Sequence, residues 1–160
     1  MIWSPRRLFV YCYKIYQKTL SARLEERGVP ISYPQILGNL WKDGPCNQRK
    51  MARLCLMKPS SLTNVFRDME AEGLIVREMG GKRRETTLYI TEKGIEMFKV
   101  SQAVFDELEE VMYRGFSDEE KAVFGEHTMR VIKNLMAEEQ RSGRIHFNGF
   151  IPKNEKKIVL

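Results

Sequence analysis

Apolar residues recur at helical spacing through most of this chain, and Gly, Pro and Ser mark the breaks between the runs. Ser4-Pro5 puts a capping serine ahead of a proline at the first helical position. Leu8, Cys12, Ile15, Tyr16, Leu20 and Leu24 follow, predicting a first helix that closes at Gly28 and Val29-Pro30. A second helix is predicted from Tyr33 to Lys42, with Ile36, Leu37, Leu40 and Trp41 as its apolar stripe and Asp43-Gly44-Pro45 as its break. A third runs from Asn47 to Leu54, with Met51, Leu54 and Cys55 facing inward, and Lys58-Pro59-Ser60 follows it. A fourth runs from Ser60 to Glu72 and stops at Gly73.

The period then changes. Leu74 to Glu78 reads as a short strand, Met79 to Arg84 as a turn with a basic tip, and Glu85 to Thr91 as the returning strand. The Gly80-Gly81 pair between two β-rich runs is a hairpin signal. Lys93 to Tyr113 is a long helix in which Ile95, Phe98, Phe105, Leu108 and Met112 recur. Ser117 and Glu120 form a capping box for a last helix to about Gln140, with Val123, Phe124, Val131, Ile132, Leu135 and Met136 inside. From Ser142 onward no usable period remains. The predicted order is four helices, a hairpin and two helices. This is a mainly α (α+β) chain in which three helices and a hairpin form a winged helix-turn-helix, with further helices at both ends.

Composition sharpens this picture. The 160 residues are 42% apolar, enough for a core, and carry 27 Lys and Arg against 21 Asp and Glu, a net charge of +6. A basic balance favours polyanionic partners such as nucleic acid or an anionic membrane surface, but it equally describes an ordinary basic soluble protein. No apolar run is long enough to span a membrane, and the first residues lack a signal-peptide core, so an intracellular, cytoplasmic protein is expected. Cys12, Cys46 and Cys55 form an odd set without a CxxC or partnering histidines, which argues against a disulfide framework and a zinc site. No cofactor is expected.

On a helical wheel the fourth helix divides sharply. Leu62, Val65, Phe66 and Met69 fall on one side; Ser60, Ser61, Asn64, Arg67 and Asp68 fall on the other, with Thr63 at the edge. Short polar side chains near a helix N-terminus let it enter a major groove, where Asn can bond adenine bidentately and Ser or Thr can bond base or phosphate. A plain amphipathic surface helix has the same pattern. The context favours DNA, because in a helix-turn-helix the second helix enters the groove while its partner crosses the backbone. Asn47 and Gln48 open that partner helix, ahead of Arg49 and Lys50, and Lys58 lies in the turn; Asn47, Gln48 and Lys58 are the candidate backbone contacts. Lys82, Arg83 and Arg84 at the hairpin tip can reach phosphate or a narrow minor groove, or else are solvated charges guarding a sheet edge.

These residues resemble the MarR family of transcriptional regulators. The resemblance is carried by Tyr33-Pro34-Gln35, by SSLTNVFRDMEAEGLI, by the basic wing with RRETTLYITEKG and by SDEEK, and it covers about Ser4 to Glu139. It implies one unit over residues 1–141, with a DNA-binding lobe at 33–94, dimerisation helices at 4–28 and 95–140, and a tail at 142–160. It implies a homodimer on a pseudo-palindromic operator, usually a repressor, released in many members by a small aromatic ligand or by cysteine oxidation. By position the groove-facing residues are Ser60, Ser61, Thr63 and Asn64. The sequence departs from the family twice. Lys82 stands where the family's wing has the aspartate that helps hold its arginine, here Arg84. Leu56 stands where the family commonly has a turn glycine.

Two sensor readings follow from the resemblance. Tyr16, Trp41 and Phe105 are candidates to line a ligand cleft, or are ordinary core aromatics. Cys12 is a candidate oxidant sensor, although a buried core thiol is the plainer expectation, as it is for Cys46 and Cys55. His127 and His146 read as surface or satisfied residues. Two other function classes compete: a winged-helix module that binds protein rather than DNA, and an enzyme. The cationic wing and small polar helix face argue against the first. The absence of a nucleophile with a base, a carboxylate pair in a pocket or a phosphate loop argues against the second.

Overall fold

The computed structural model describes residues 3–80 and 85–142. The elements are α1 (Pro5–Glu26), α2 (Tyr33–Asp43), β1 (Cys46–Asn47), α3 (Gln48–Leu54), α4 (Pro59–Ala71), β2 (Ile75–Gly80), β3 (Glu85–Ile90), α5 (Glu92–Met112) and α6 (Asp118–Ser142). The predicted helices and hairpin are all present. The strands form an antiparallel sheet in the order β1-β3-β2, with Cys46 opposite Leu88 and Ile75 opposite Ile90. β2 continues through Met79 and Gly80, where a turn is expected, because both residues pair with β3. β1 has no counterpart in the sequence reading.

Local chemistry explains most of the boundaries. Ser4 accepts from the Arg7 N–H ahead of Pro5, and Thr91 accepts from the Gly94 N–H at the start of α5. The capping box of α6 is reciprocal: the Ser117 N–H donates to Glu120 Oε2 at 2.8 Å, and the Glu120 N–H donates to Ser117 Oγ at 3.2 Å. Three helices end in the same paired-bond turn. After α1, Gly28 N–H donates to Glu25 and Val29 N–H to Leu24; after α4, Gly73 donates to Glu70 and Leu74 to Met69; after α3, Leu56 donates to Arg53 and Met57 to Ala52. The middle residue needs a left-handed backbone, met by Gly28 at φ 70° and Gly73 at φ 73°. Leu56 takes φ 53° with a Cβ in place, which resolves how this turn is made without glycine.

The core lies in the winged-helix lobe. Leu24, Ile36, Leu37, Met51, Leu62, Phe66, Met69, Leu74, Ile75, Leu88 and Val104 are fully or almost fully buried there. α5 turns Gly94, Ser101, Val104 and Leu108 inward; of the expected residues Leu108 is buried, Phe98 and Phe105 pack half-buried against the core, Ile95 is half-buried and Met112 is exposed. The Ser101 hydroxyl donates to the Met97 carbonyl at 2.9 Å, so its burial leaves no unpaired polar atom.

Several residues expected inside are outside in the single chain. Trp41 is exposed at the end of α2. Cys12 is exposed rather than a core thiol. Val123, Phe124, Val131 and Leu135 on α6 are exposed and Ile132 and Met136 only half-buried; no described α6 side chain is buried. Periodicity marks an apolar face correctly, but it does not say whether the rest of the chain covers it.

Candidate nucleic-acid interface

α4 is clamped at its C-terminal end and free at its N-terminal end. At the C-terminal end the Lys93 ammonium donates to the Glu72 carbonyl at 2.7 Å, placing a cation at the negative end of the helix dipole. The Thr91 hydroxyl lies 2.7 Å from the Gly73 carbonyl oxygen and 3.1 Å from that of Leu74. A Cβ on Gly94 would stand 2.2 Å from the Leu74 carbonyl oxygen, so only glycine lets α5 start this close to the end of α4. The phrase Thr91-Glu92-Lys93-Gly94 is therefore a clasp on the C-terminal end of α4, which its sequence distinctiveness signalled without giving the reason. Tyr33 Oη donates to Glu72 Oε1 at 2.8 Å, and burial followed by that hydrogen bond pushes the phenol up to about 12. Arg77 on β2 holds Glu70 through Nε at 2.7 Å, and this bond keeps the Glu70 carboxyl below its ordinary range.

At the N-terminal end no such ties exist. Pro59 occupies the first turn, Lys58 at the cap supplies no side-chain acceptor, and the first turn carries no acid. The first turn of α4 thus supplies no anion of its own to the positive end of the helix dipole. Leu62, Phe66 and Met69 are buried beneath, while Ser60, Ser61, Thr63, Asn64 and Arg67 are exposed above. Thr63, expected at the edge, is exposed with the others; its hydroxyl donates to the Pro59 carbonyl at 3.2 Å. Arg67 makes only a long, exposed contact of 3.5 Å with Asp68.

Lys58, Arg49 and Lys50 are exposed beside this face and Gln48 is half-buried at the start of α3. Asn47, also expected at the backbone, is half-buried; its Oδ1 accepts from the Lys50 N–H and one N–H of its Nδ2 donates to Glu85. Lys82, Arg83 and Arg84 lie outside the described residues, as does His146; β2 and β3 carry the chain to either side of the wing tip.

The candidate sensor residues do not converge. Trp41 lines an open groove of about 520 Å³ with Gln35, Gly38, Asn39, Lys42 and Phe98. Tyr16 and Phe105 are not part of it and pack partly buried against the core. Cys46 and Cys55 are buried, and burial pushes both thiols up, Cys55 to about 11, which opposes thiolate formation. His127 is exposed. Among the described residues no group of His, Cys, Asp or Glu is placed to hold a metal ion, and no helix is long and apolar enough to cross a membrane.

The MarR family model matches residues 34–80, from the start of α2 to the end of β2. The reduced form of MarR from E. coli superposes with a TM-score of 0.71 at 14% identity, covering 82% of this chain and 98% of that one. The chain carries the MarR fold. Within that fold two further structures are similar. MepR, a transcription regulator of the Staphylococcus aureus multidrug efflux pump MepA, gives 0.66 at 20% identity over 83% of this chain and 99% of its own. MepR in complex with DNA gives 0.70 at 19% identity over 82% and 96%. No curated protein matches the sequence at a significant level. In this shared fold α4 is the second helix of the helix-turn-helix, and β2 and β3 are the strands of the hairpin that follows it.

Proposed function

We propose that this chain is a sequence-specific regulator that binds double-stranded DNA as a homodimer, acting as a repressor on a pseudo-palindromic operator. The observation that carries the reading is the α4 face: Ser60, Ser61, Thr63, Asn64 and Arg67 exposed on a helix whose C-terminal end is clamped and whose first turn carries no acid. Asn64 reads a base edge, the short hydroxyls let the helix seat deeply, and Arg67 reaches base or phosphate. Lys58 and Gln48 contact the backbone, and Lys82, Arg83 and Arg84 bring the wing to an adjacent groove.

A dimer is supported by what one chain leaves uncovered. Leu8, Phe9, Val10, Tyr11, Tyr13 and Ile15 are all exposed, interrupted by the cations Arg6, Arg7 and Lys14, so the N-terminal half of α1 presents several uncovered apolar side chains. α6 touches the remainder through Tyr113, whose ring lies 6.0 Å from that of Phe124. So many exposed apolar side chains on one helix call for a cover, and here a second copy of α1 and α6 supplies it. Two subunits bring twice +6, or +12, to the duplex. For release, the groove at Trp41 and Phe98, with Lys42 on its rim, suits a small aromatic anion.

Selection of bound sequences from random duplexes tests the reading. The expected product is a two-fold symmetric site with half-sites about one helical turn apart, bound with an affinity that falls steeply with salt. Recovery of unenriched sequence at every round overturns it. Phenolic acids added to the selected complex test release.

A further inference from the structure

Asn47 stands where β1 ends and α3 begins, and its backbone is fixed by pairing with Thr87 across the sheet. Its Oδ1 accepts from the Lys50 N–H at 2.8 Å, capping α3. Its Nδ2 donates to Glu85 Oε2, also at 2.8 Å. Glu85 is the first residue of β3, opposite Gly80, where the chain returns from the wing. A carboxamide can serve both partners at once, because its oxygen accepts while its nitrogen donates. A bond to an ionised acceptor is also stronger than a neutral one.

Beside the backbone pairing of Asn47 with Thr87, no other side chain among the described residues does this job. Arg77 and Thr91 tie the inner end of the hairpin to α4 and to the α4–β2 junction. No other side-chain hydrogen bond holds the tip half, residues 78–80 and 85–87, to the helices.

Building on the DNA-binding reading, we infer that Asn47 and Glu85 are positioning residues that lock the wing at a fixed angle to α4. The wing cations and the recognition helix then meet one half-site together. Without this tie the angle of the hairpin to the helices is set by backbone pairing alone, and fixing it on binding costs affinity.

The test uses the full-length protein and the duplex that the wild type selects. Asn47→Asp keeps the α3 cap, because an aspartate oxygen accepts as well as an asparagine oxygen. It replaces the donor with a second carboxylate facing Glu85. The expected result is binding weaker by about tenfold, with loss of hydroxyl-radical protection at the wing-flanking positions and retention of protection in the major groove under α4. Asn47→Asp with Glu85→Gln reverses the polarity of the bond and restores both affinity and protection. Asn47→Asp with Glu78→Gln has the same net charge, restores no bond and stays weak. If Asn47→Asp proves unfolded by thermal melting, Glu85→Ala takes its place and must lose the same flanking protection. Unchanged binding and footprint in Asn47→Asp, or equal recovery in both double variants, overturns the inference and leaves the DNA-binding reading standing. A wild type that selects no duplex overturns both.

Discussion

Replacing Leu56 by glycine and, separately, by alanine isolates the strain stored in the helix-turn-helix turn. Leu56 has φ 53° at a position where the equivalent turns after α1 and α4 use Gly28 and Gly73. A left-handed backbone costs a residue with a Cβ about 1–2 kcal/mol. The Leu56 side chain is 48% exposed, so its removal forfeits about 1 kcal/mol of burial in either variant. Alanine pays this loss and keeps the strain; glycine pays it and relieves the strain. Glycine's greater freedom in the unfolded chain takes back about 0.5–1 kcal/mol. Leu56→Gly should therefore be more stable than Leu56→Ala by up to about 1.5 kcal/mol, a difference of up to about 3–6 °C in melting temperature. The normal helical order should hold at exposed Ala103, where Ala103→Gly loses about 1 kcal/mol. Melting or denaturant unfolding at one fixed protein concentration measures both. Leu56→Gly falling below Leu56→Ala by the ordinary propensity difference would refute a left-handed turn at this residue.

The remaining predictions concern the clasp, the phenol and the dimer. Gly94→Ala sets a Cβ against the Leu74 carbonyl and should cost about 3 kcal/mol in denaturant unfolding; a neutral effect would mean that α5 does not approach so closely. The Tyr33 phenol is raised from 10.0 to about 12, so its contribution is complete below pH 10 and is lost as pH rises from 10 through about 12. Stability measured across that window should fall more steeply in the wild type than in Tyr33→Phe. Val131→Glu with Leu135→Glu puts two charges on the exposed apolar face of α6 and should yield monomers in sedimentation that no longer bind the selected duplex. Dimers that survive both changes would place the interface elsewhere.

Signals that act within a few residues were legible in the sequence. Ser4-Pro5, Gly73 and the Ser117–Glu120 box each bond their own neighbours, and each stands where expected. The two-residue strand β1 escaped because it is too short to alternate and exists through pairing with Thr87 and Leu88, about forty positions away. The buried face of α5 was only partly legible because its inward positions include Gly94 and Ser101, which a search for apolar residues passes over. Glycine is inward there because the Leu74 carbonyl occupies the space of a side chain. For the site, the polar face of α4 was readable from the wheel alone. The task of Asn47 was not, since it depends on Glu85 arriving from the far side of the wing. The exposed apolar residues of α1 and α6 show the limit of periodicity, which finds a face and is silent about whether the rest of the chain covers it.

The central claim is that α4 reads bases, and Asn64 tests it most directly. The measurement is the affinity of wild type and Asn64→Ala for the selected duplex and each of its single-base-pair variants, at one salt concentration. The account predicts that Asn64→Ala loses about 1–3 kcal/mol of discrimination at one base pair in each half-site and keeps its affinity for unrelated duplex. An Asn64→Ala protein that discriminates at every position as the wild type does would contradict it.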